Sequence, residues 1–240
     1  QEQLTEEPAE EAAEVNAPHE VLTHRYTQAV EYAAVIHATQ LRKGTNISYI
    51  SHLLGVSSLV LEAGGDEDEA IAGLLHDAVE DCGGLPRLAD VRARFGERVA
   101  DIVLACSDST DEDWKRNTGY WERKRRYLDH LEVTEDDGAI LVSIADKAHN
   151  ARALVTDLHQ QGTAVLRKFN GTPAEIVEYY NECLRIACVR SMPEAVVDPL
   201  RTAVAEIQRL VRGTEADSRR SSIDLASAER PVKQSPIALL

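Results

Sequence analysis

Apolar positions along this chain recur three and four apart, and no stretch alternates with the period of two that a half-buried strand would show. The pattern predicts helix after helix. Thr23 caps a first helix running to about Arg42, with Val30, Ala33, Ala34 and Leu41 on one face. Gly44-Thr45-Asn46 breaks it. A second helix runs from about Ile50 to Ala63 and ends at Gly64-Gly65. Asp66 and Glu69 form the capping box of a third, which carries Ile71, Leu74, Leu75, Ala78 and Val79 and runs unbroken to Gly83-Gly84. Shorter helices are expected at about 86–95 and 97–107, then a polar loop over 108–118. Further helices follow at about 119–132, 139–158, 173–190 and 194–212. The expected class is all-α, a helical bundle.

The ends differ from the middle. Residues 1–19 are rich in Glu and Ala with Pro8 and Pro18, and residues 214–240 are rich in Ser, Arg and Asp. Both are read as solvated, disordered tails flanking one domain over 20–213, within the usual domain size range. The formal net charge of −15 argues against a nucleic-acid polymer as partner, because phosphate backbones need clustered cations. It leaves room for a small anionic substrate in a locally basic pocket. No apolar run approaches the roughly 20 residues of a membrane span, and the acidic start does not read as a signal peptide. Cys82, Cys106, Cys183 and Cys188 make no CxxC pair; reduced, mostly buried thiols in a cytoplasmic protein are expected.

The chemistry concentrates in His76-Asp77-Ala78-Val79-Glu80-Asp81, with His52 upstream and Asp146 downstream in Ala145-Asp146-Lys147-Ala148-His149-Asn150. Four ionisable groups beside Leu74, Leu75 and Val79 would be costly in a core without a cation. Two imidazoles and two carboxylates suit a divalent transition metal better than magnesium or calcium. Alone, each residue has a bland reading: a surface His-Asp pair, a solvated Glu-Asp at a helix end, a half-buried His52, or an acidic break in the apolar run before Asp146. Their joint occurrence favours a metal-assisted phosphohydrolase.

These segments, together with Ile36-His37-Ala38-Thr39-Gln40-Leu41-Arg42-Lys43 and Tyr49-Ile50-Ser51-His52, resemble the hydrolase domain of bifunctional alarmone synthetase-hydrolases. The likeness is greatest to the small alarmone hydrolases of the HD superfamily, over roughly residues 24–195. The resemblance implies an HD-domain helical fold with His52, His76, Asp77 and Asp146 as ligands of one metal, usually manganese. It implies Glu80 and Asp81 as the pair that activates and orients water. Arg42, Lys43, Thr45, Tyr49, Lys147 and Asn150 match positions at or near the nucleotide pocket, and His37 and His149 match supporting positions. The implied activity is hydrolysis of the 3′-pyrophosphate of guanosine tetra- or pentaphosphate, giving GDP or GTP and pyrophosphate. Two departures bear on substrate preference: Ser51-His52-Leu53 replaces a Thr-His-Pro type of sequence, and Lys147 stands where arginine is common, losing the planar fork. Two other readings stay open, a metal-dependent phosphatase on another nucleotide such as NADPH and a non-catalytic nucleotide-binding HD module. Nothing in the sequence sets the oligomeric state.

Overall fold

The computed structural model describes residues 22–107 and 112–228. Among them the chain is helical, with no strand beyond one isolated bridge, Leu41 to Ser48. The all-α expectation holds. The segments 1–19 and 229–240 of the two expected tails lie outside the described residues.

Helix α1 (His24–Ile36) starts where expected, the Thr23 hydroxyl accepting from the Arg25 N–H, but stops six residues short of Arg42. Tertiary hydrogen bonds outweigh helical propensity there. Residues 37–49 fold back as a loop: the Arg42 N–H donates to the Ile47 carbonyl and the Tyr49 N–H to the Gln40 carbonyl. Gly44, at φ +78°, makes the turn. Helix α2 (Ile50–Glu62) follows.

The third predicted helix is two. Helix α3 (Glu67–Leu75) carries the expected capping box between Asp66 and Glu69, and a single turn, α4 (Ala78–Asp81), follows it. The axis breaks at His76-Asp77, where Asp77 sits at φ −94°, ψ −1°. The pattern of apolar residues could not show this, because Leu74, Leu75, Ala78 and Val79 are buried on both sides of the break. The break turns His76 and Asp77 towards one point instead of spreading them around a cylinder.

Helices α5 (Gly84–Phe95), α6 (Glu97–Cys106), α8 (Tyr120–Val133) and α10 (Pro173–Val189) match their expected spans closely. The expected polar loop instead holds a short α7 (Glu112–Asn117). Helix α9 (Asp137–Gln161) is longer than expected and runs into an unexpected 3-10 helix, Gly162–Lys168. Helix α11 (Glu194–Ala228) continues past residue 213 into the first part of the segment read as a tail.

Helix α9 is the axle of the fold. It packs against α2, α3, α6, α10 and α11, and Gly138 through Asp146 are buried without interruption. A helix apolar on every side belongs in the middle of a core. Asp146 ends that apolar run, so the fold places a carboxylate at its own centre.

Candidate metal centre and its cavity

Three helices bring their polar residues to one buried point. His52 comes from α2, His76 from the end of α3 and Asp146 from α9, and one ligand atom from each lies within 4.8 Å of the others. The His52 Nε2 is 3.1 Å from Asp146 Oδ1 and 3.7 Å from Asp77 Oδ2. The His76 Nε2 is 3.0 Å from Asp77 Oδ2 and 3.6 Å from Asp146 Oδ1. All four residues expected as ligands are therefore together.

The donor set fits a divalent metal on two observations. The His76 Nε2 is fully buried and receives no aligned hydrogen bond, although two carboxylates lie beside it. A buried ring nitrogen normally finds a partner; one facing converging carboxylates without alignment is arranged for a cation. Its other nitrogen, Nδ1, is 2.9 Å from the Gly73 carbonyl, the outer contact that fixes the tautomer of a ligating histidine.

Electrostatics agree with a charged, desolvated cluster. Burial pushes the His52 imidazole down. Burial alone would lower His76 too, but Asp77 and Asp146 outweigh it and hold it well above its usual value. Burial would raise Asp146; Lys147 and the two imidazoles outweigh it and hold it well below the carboxylate range. Asp77 is likewise depressed, His76 overcoming the effect of burial.

Outer contacts brace the cluster. The Tyr49 hydroxyl donates to Asp77 Oδ2 at 2.5 Å. Asn150 Nδ2 donates to Asp146 Oδ1 at 2.5 Å and Arg42 donates to Asn150 Oδ1 at 3.0 Å. His149 Nδ1 lies 2.9 Å from His52 Nδ1, and only one of the two can carry the proton of that bond. His149 is held down to about 3, by burial first and then by the neighbouring His52, and burial lowers His52 as well, so the contact joins two neutral rings. Its ring sits so close to α2 that a Cβ on Gly55 would lie 2.4 Å from His149 Nε2.

Lys147 braces the cluster as well as reaching the cavity. Its ammonium bonds Asp146 Oδ2 at 2.5 Å and rests 4.6 Å from the centre of the Tyr127 ring. It is largely buried and backs the cluster, while still reaching the cavity wall. His37 supports through Gln40: His37 Nδ1 is 2.6 Å from Gln40 Oε1, and Gln40 Nε2 donates to Asp81 Oδ2 at 2.7 Å. Burial and then Asp77 raise the Asp81 carboxyl.

A cavity of about 360 Å³ opens beside the cluster. Asp77, Glu80 and Asp146 line its inner end, and Arg42, Lys43, Thr45, Tyr49, Lys147 and Asn150 line it too. Asp81 is not among the lining residues; it stands one position behind Glu80, on Gln40. The sequence reading missed the polar and aromatic wall residues Tyr120, Lys124, Asp157, Lys168, Phe169, Tyr179 and Tyr180, and Ile47, Cys106, Ala153 and Leu154 complete the lining. For Asp157 a signal existed: with Asp146, Asn150 and Ala153 it makes one stripe at helical spacing along α9. The others come from α8, α10 and the 3-10 segment, and no local pattern marks them.

The HD domain family model matches residues 29–169. A probable guanosine-3′,5′-bis(diphosphate) 3′-pyrophosphohydrolase of Synechocystis is 32% identical over 141 residues, covering 59% of this chain and 18% of that protein. A guanosine-3′,5′-bis(diphosphate) 3′-pyrophosphohydrolase of Drosophila melanogaster is 31% identical over 133 residues, 54% of this chain and 69% of that one. Among solved structures, a metazoan ortholog of SpoT described as hydrolysing ppGpp superposes with a TM-score of 0.61 at 25% identity. That match covers 77% of this chain and 96% of that chain. The chain thus spans only a small part of its long bacterial relatives, 18% and 17% of the first two.

Proposed function

Because this chain belongs to the HD domain family, whose model spans residues 29–169, we propose that it hydrolyses the 3′-pyrophosphate of guanosine tetra- or pentaphosphate. The products are GDP or GTP and pyrophosphate. The observation that carries this reading is the joining of the His52, His76 and Asp146 cluster to a cavity with an acidic inner end and cationic walls. The relatives named as hydrolases of this substrate support it.

His52, His76, Asp77 and Asp146 would hold the divalent ion, and manganese is our choice for two imidazoles and two carboxylates. When bound, the ion supplies Lewis-acid polarisation at the scissile phosphoryl group and at the attacking water. The chain's own residues do the rest. Glu80, on the cavity wall, takes the proton from that water, and Asp81 orients and relays behind it, a division suited to paired carboxylates. Arg42 and Lys43 offset the substrate's negative charge and hold it in line. Tyr49 fixes Asp77 and Asn150 fixes Asp146, so the inner end is set before substrate arrives. The cytoplasm, where such a nucleotide is met, is the corresponding compartment.

Product analysis on chelator-stripped protein tests this. Manganese-dependent release of GDP and pyrophosphate from guanosine tetraphosphate, lost in Asp81→Asn with the fold intact, is expected. Inorganic phosphate from NADPH with guanosine tetraphosphate untouched would move the substrate. Metal binding with no turnover of either would leave a binding module.

A further inference from the structure

The outer end of the cavity has a chemistry of its own, and it differs from the phosphate-handling end. Asp146, Asn150, Ala153 and Asp157 lie on one stripe of α9. The eleven helical steps from Asp146 to Asp157 span about 16 Å along the axis. Ile47, Leu154 and Phe169 give the wall there apolar surfaces. At the rim Asp157 Oδ2 accepts from Lys168 Nζ at 2.5 Å, and the lysine lies 5.5 Å from the centre of the Phe169 ring. Lys168 also packs under the turn of the 41–48 loop, its Cδ 3.9 Å from the place a Cβ on Gly44 would occupy. The lysine is thus tied to one carboxylate oxygen and wedged between two segments, which orients the carboxylate without using its second oxygen.

Apolar surfaces with an oriented carboxylate at the edge suit a planar base carrying two adjacent N–H donors. Guanine offers such a pair on its Watson–Crick edge, at N1 and the 2-amino group. Adenine offers an acceptor at N1 instead, which a carboxylate repels. A diphosphate would be a poor guest at this end, since Asp157 opposes it and has already claimed Lys168. We propose that Asp157, held by Lys168, is the specificity-determining residue that selects guanine over adenine. This rests on the nucleotide-hydrolase reading above and names the part of the substrate that reading leaves unassigned.

The test is equilibrium binding of GDP, ADP and XDP to the full chain, with and without Asp157→Asn, alongside turnover of the guanosine and adenosine 3′,5′-bis(diphosphates). The wild-type chain should prefer GDP. In Asp157→Asn, GDP affinity and KM for the guanosine substrate should worsen about 10- to 100-fold, the loss of a charge-assisted bond, with kcat little changed. XDP should bind better than to wild type, because an amide N–H can donate to the xanthine 2-oxo group. That gain cannot come from a misfolded variant. Equal binding of GDP and ADP by the wild type, or an unchanged preference in the variant, overturns the proposal. Selective GDP binding without any turnover would uphold it while sinking the hydrolase reading. Equal turnover of guanosine and adenosine substrates would do the reverse.

Discussion

At the inner end of the cavity the proposed metal ligands sit on or at the ends of helices that cross the core, while the outer end is walled by the 41–48 loop and the 3-10 helix as well as by α9. His52, His76 and Asp146 are buried and braced by Asn150, Lys147 and Gly73. Ile47 is exposed, while Asp157 and Lys168 are half-buried, as Asp77 is at the inner end. On the proposed function, the chemistry would be set among helices of the core, and recognition would combine one residue of the same α9 with the loop and 3-10 helix that face it. Changes at the inner end should therefore cost stability, metal affinity and turnover together, whereas changes at the outer end should alter only which ligand is taken.

The largest effect should follow Asp146→Ala. It removes a proposed ligand and leaves the Lys147 ammonium buried without its carboxylate, a loss of about 3–5 kcal/mol of stability. Turnover should fall below detection, and urea unfolding should show the destabilisation even without metal. A fully stable variant would mean that the Lys147–Asp146 pair contributes nothing, and the contrast between the two ends would weaken.

Gly55→Ala should come next. One methyl group directed at the His149 ring forces it off His52, an overpacking cost of about 1–3 kcal/mol. Manganese affinity, measured by competition with a chelating dye, should drop with it. Unchanged affinity would show that His149 does not brace His52.

Acid should expose the same contact more gently. His149 stays neutral in the folded chain down to about 3, whereas the unfolded chain takes up that proton near pH 6.5. Its folded value is depressed, so its contribution is fully present above pH 6.5 and is lost as pH falls from there towards 3. Unfolding free energies at pH 7 and pH 5 should differ by less in His149→Gln than in the wild type; an equal difference would remove His149 from the balance.

The smallest effect belongs far from the cavity. Asp66→Ala removes the α3 cap and should cost about 1 kcal/mol, seen as a lower Tm. The Asp66 carboxyl is held below its usual value by the Glu69 N–H and Arg98 despite burial. The cost should therefore be full above about pH 4 and shrink as pH falls below it. Metal affinity should not move, and if it did, α3 would couple to the site along its whole length.

Much of this was legible in the chain. The capping box at Asp66, the Thr23 cap and the apolar spacing of α5, α6 and α10 are local signals with local causes, and they placed those helices. The four proposed ligands stood out through their joint occurrence and through the resemblance of the segments that carry them. What stayed hidden was non-local. The early end of α1 depends on hydrogen bonds of the 37–49 loop, and the break at His76-Asp77 on packing that buries both sides of it. Tyr120, Tyr179 and Lys168 reach the cavity from α8, α10 and the 3-10 helix, and spacing within one segment says nothing about what a distant segment will face.

One continuous helix, α9, carries both Asp146 and Asp157. Their separation is therefore a fixed length, set by rise per residue and indifferent to what binds. The helix acts as a ruler laid along the cavity floor. On the proposed function, a guanine nucleotide with a 3′-diphosphate would reach both marks at once, and the GDP left after cleavage would reach only one. The rod that admits such a substrate would then leave its product held at a single end.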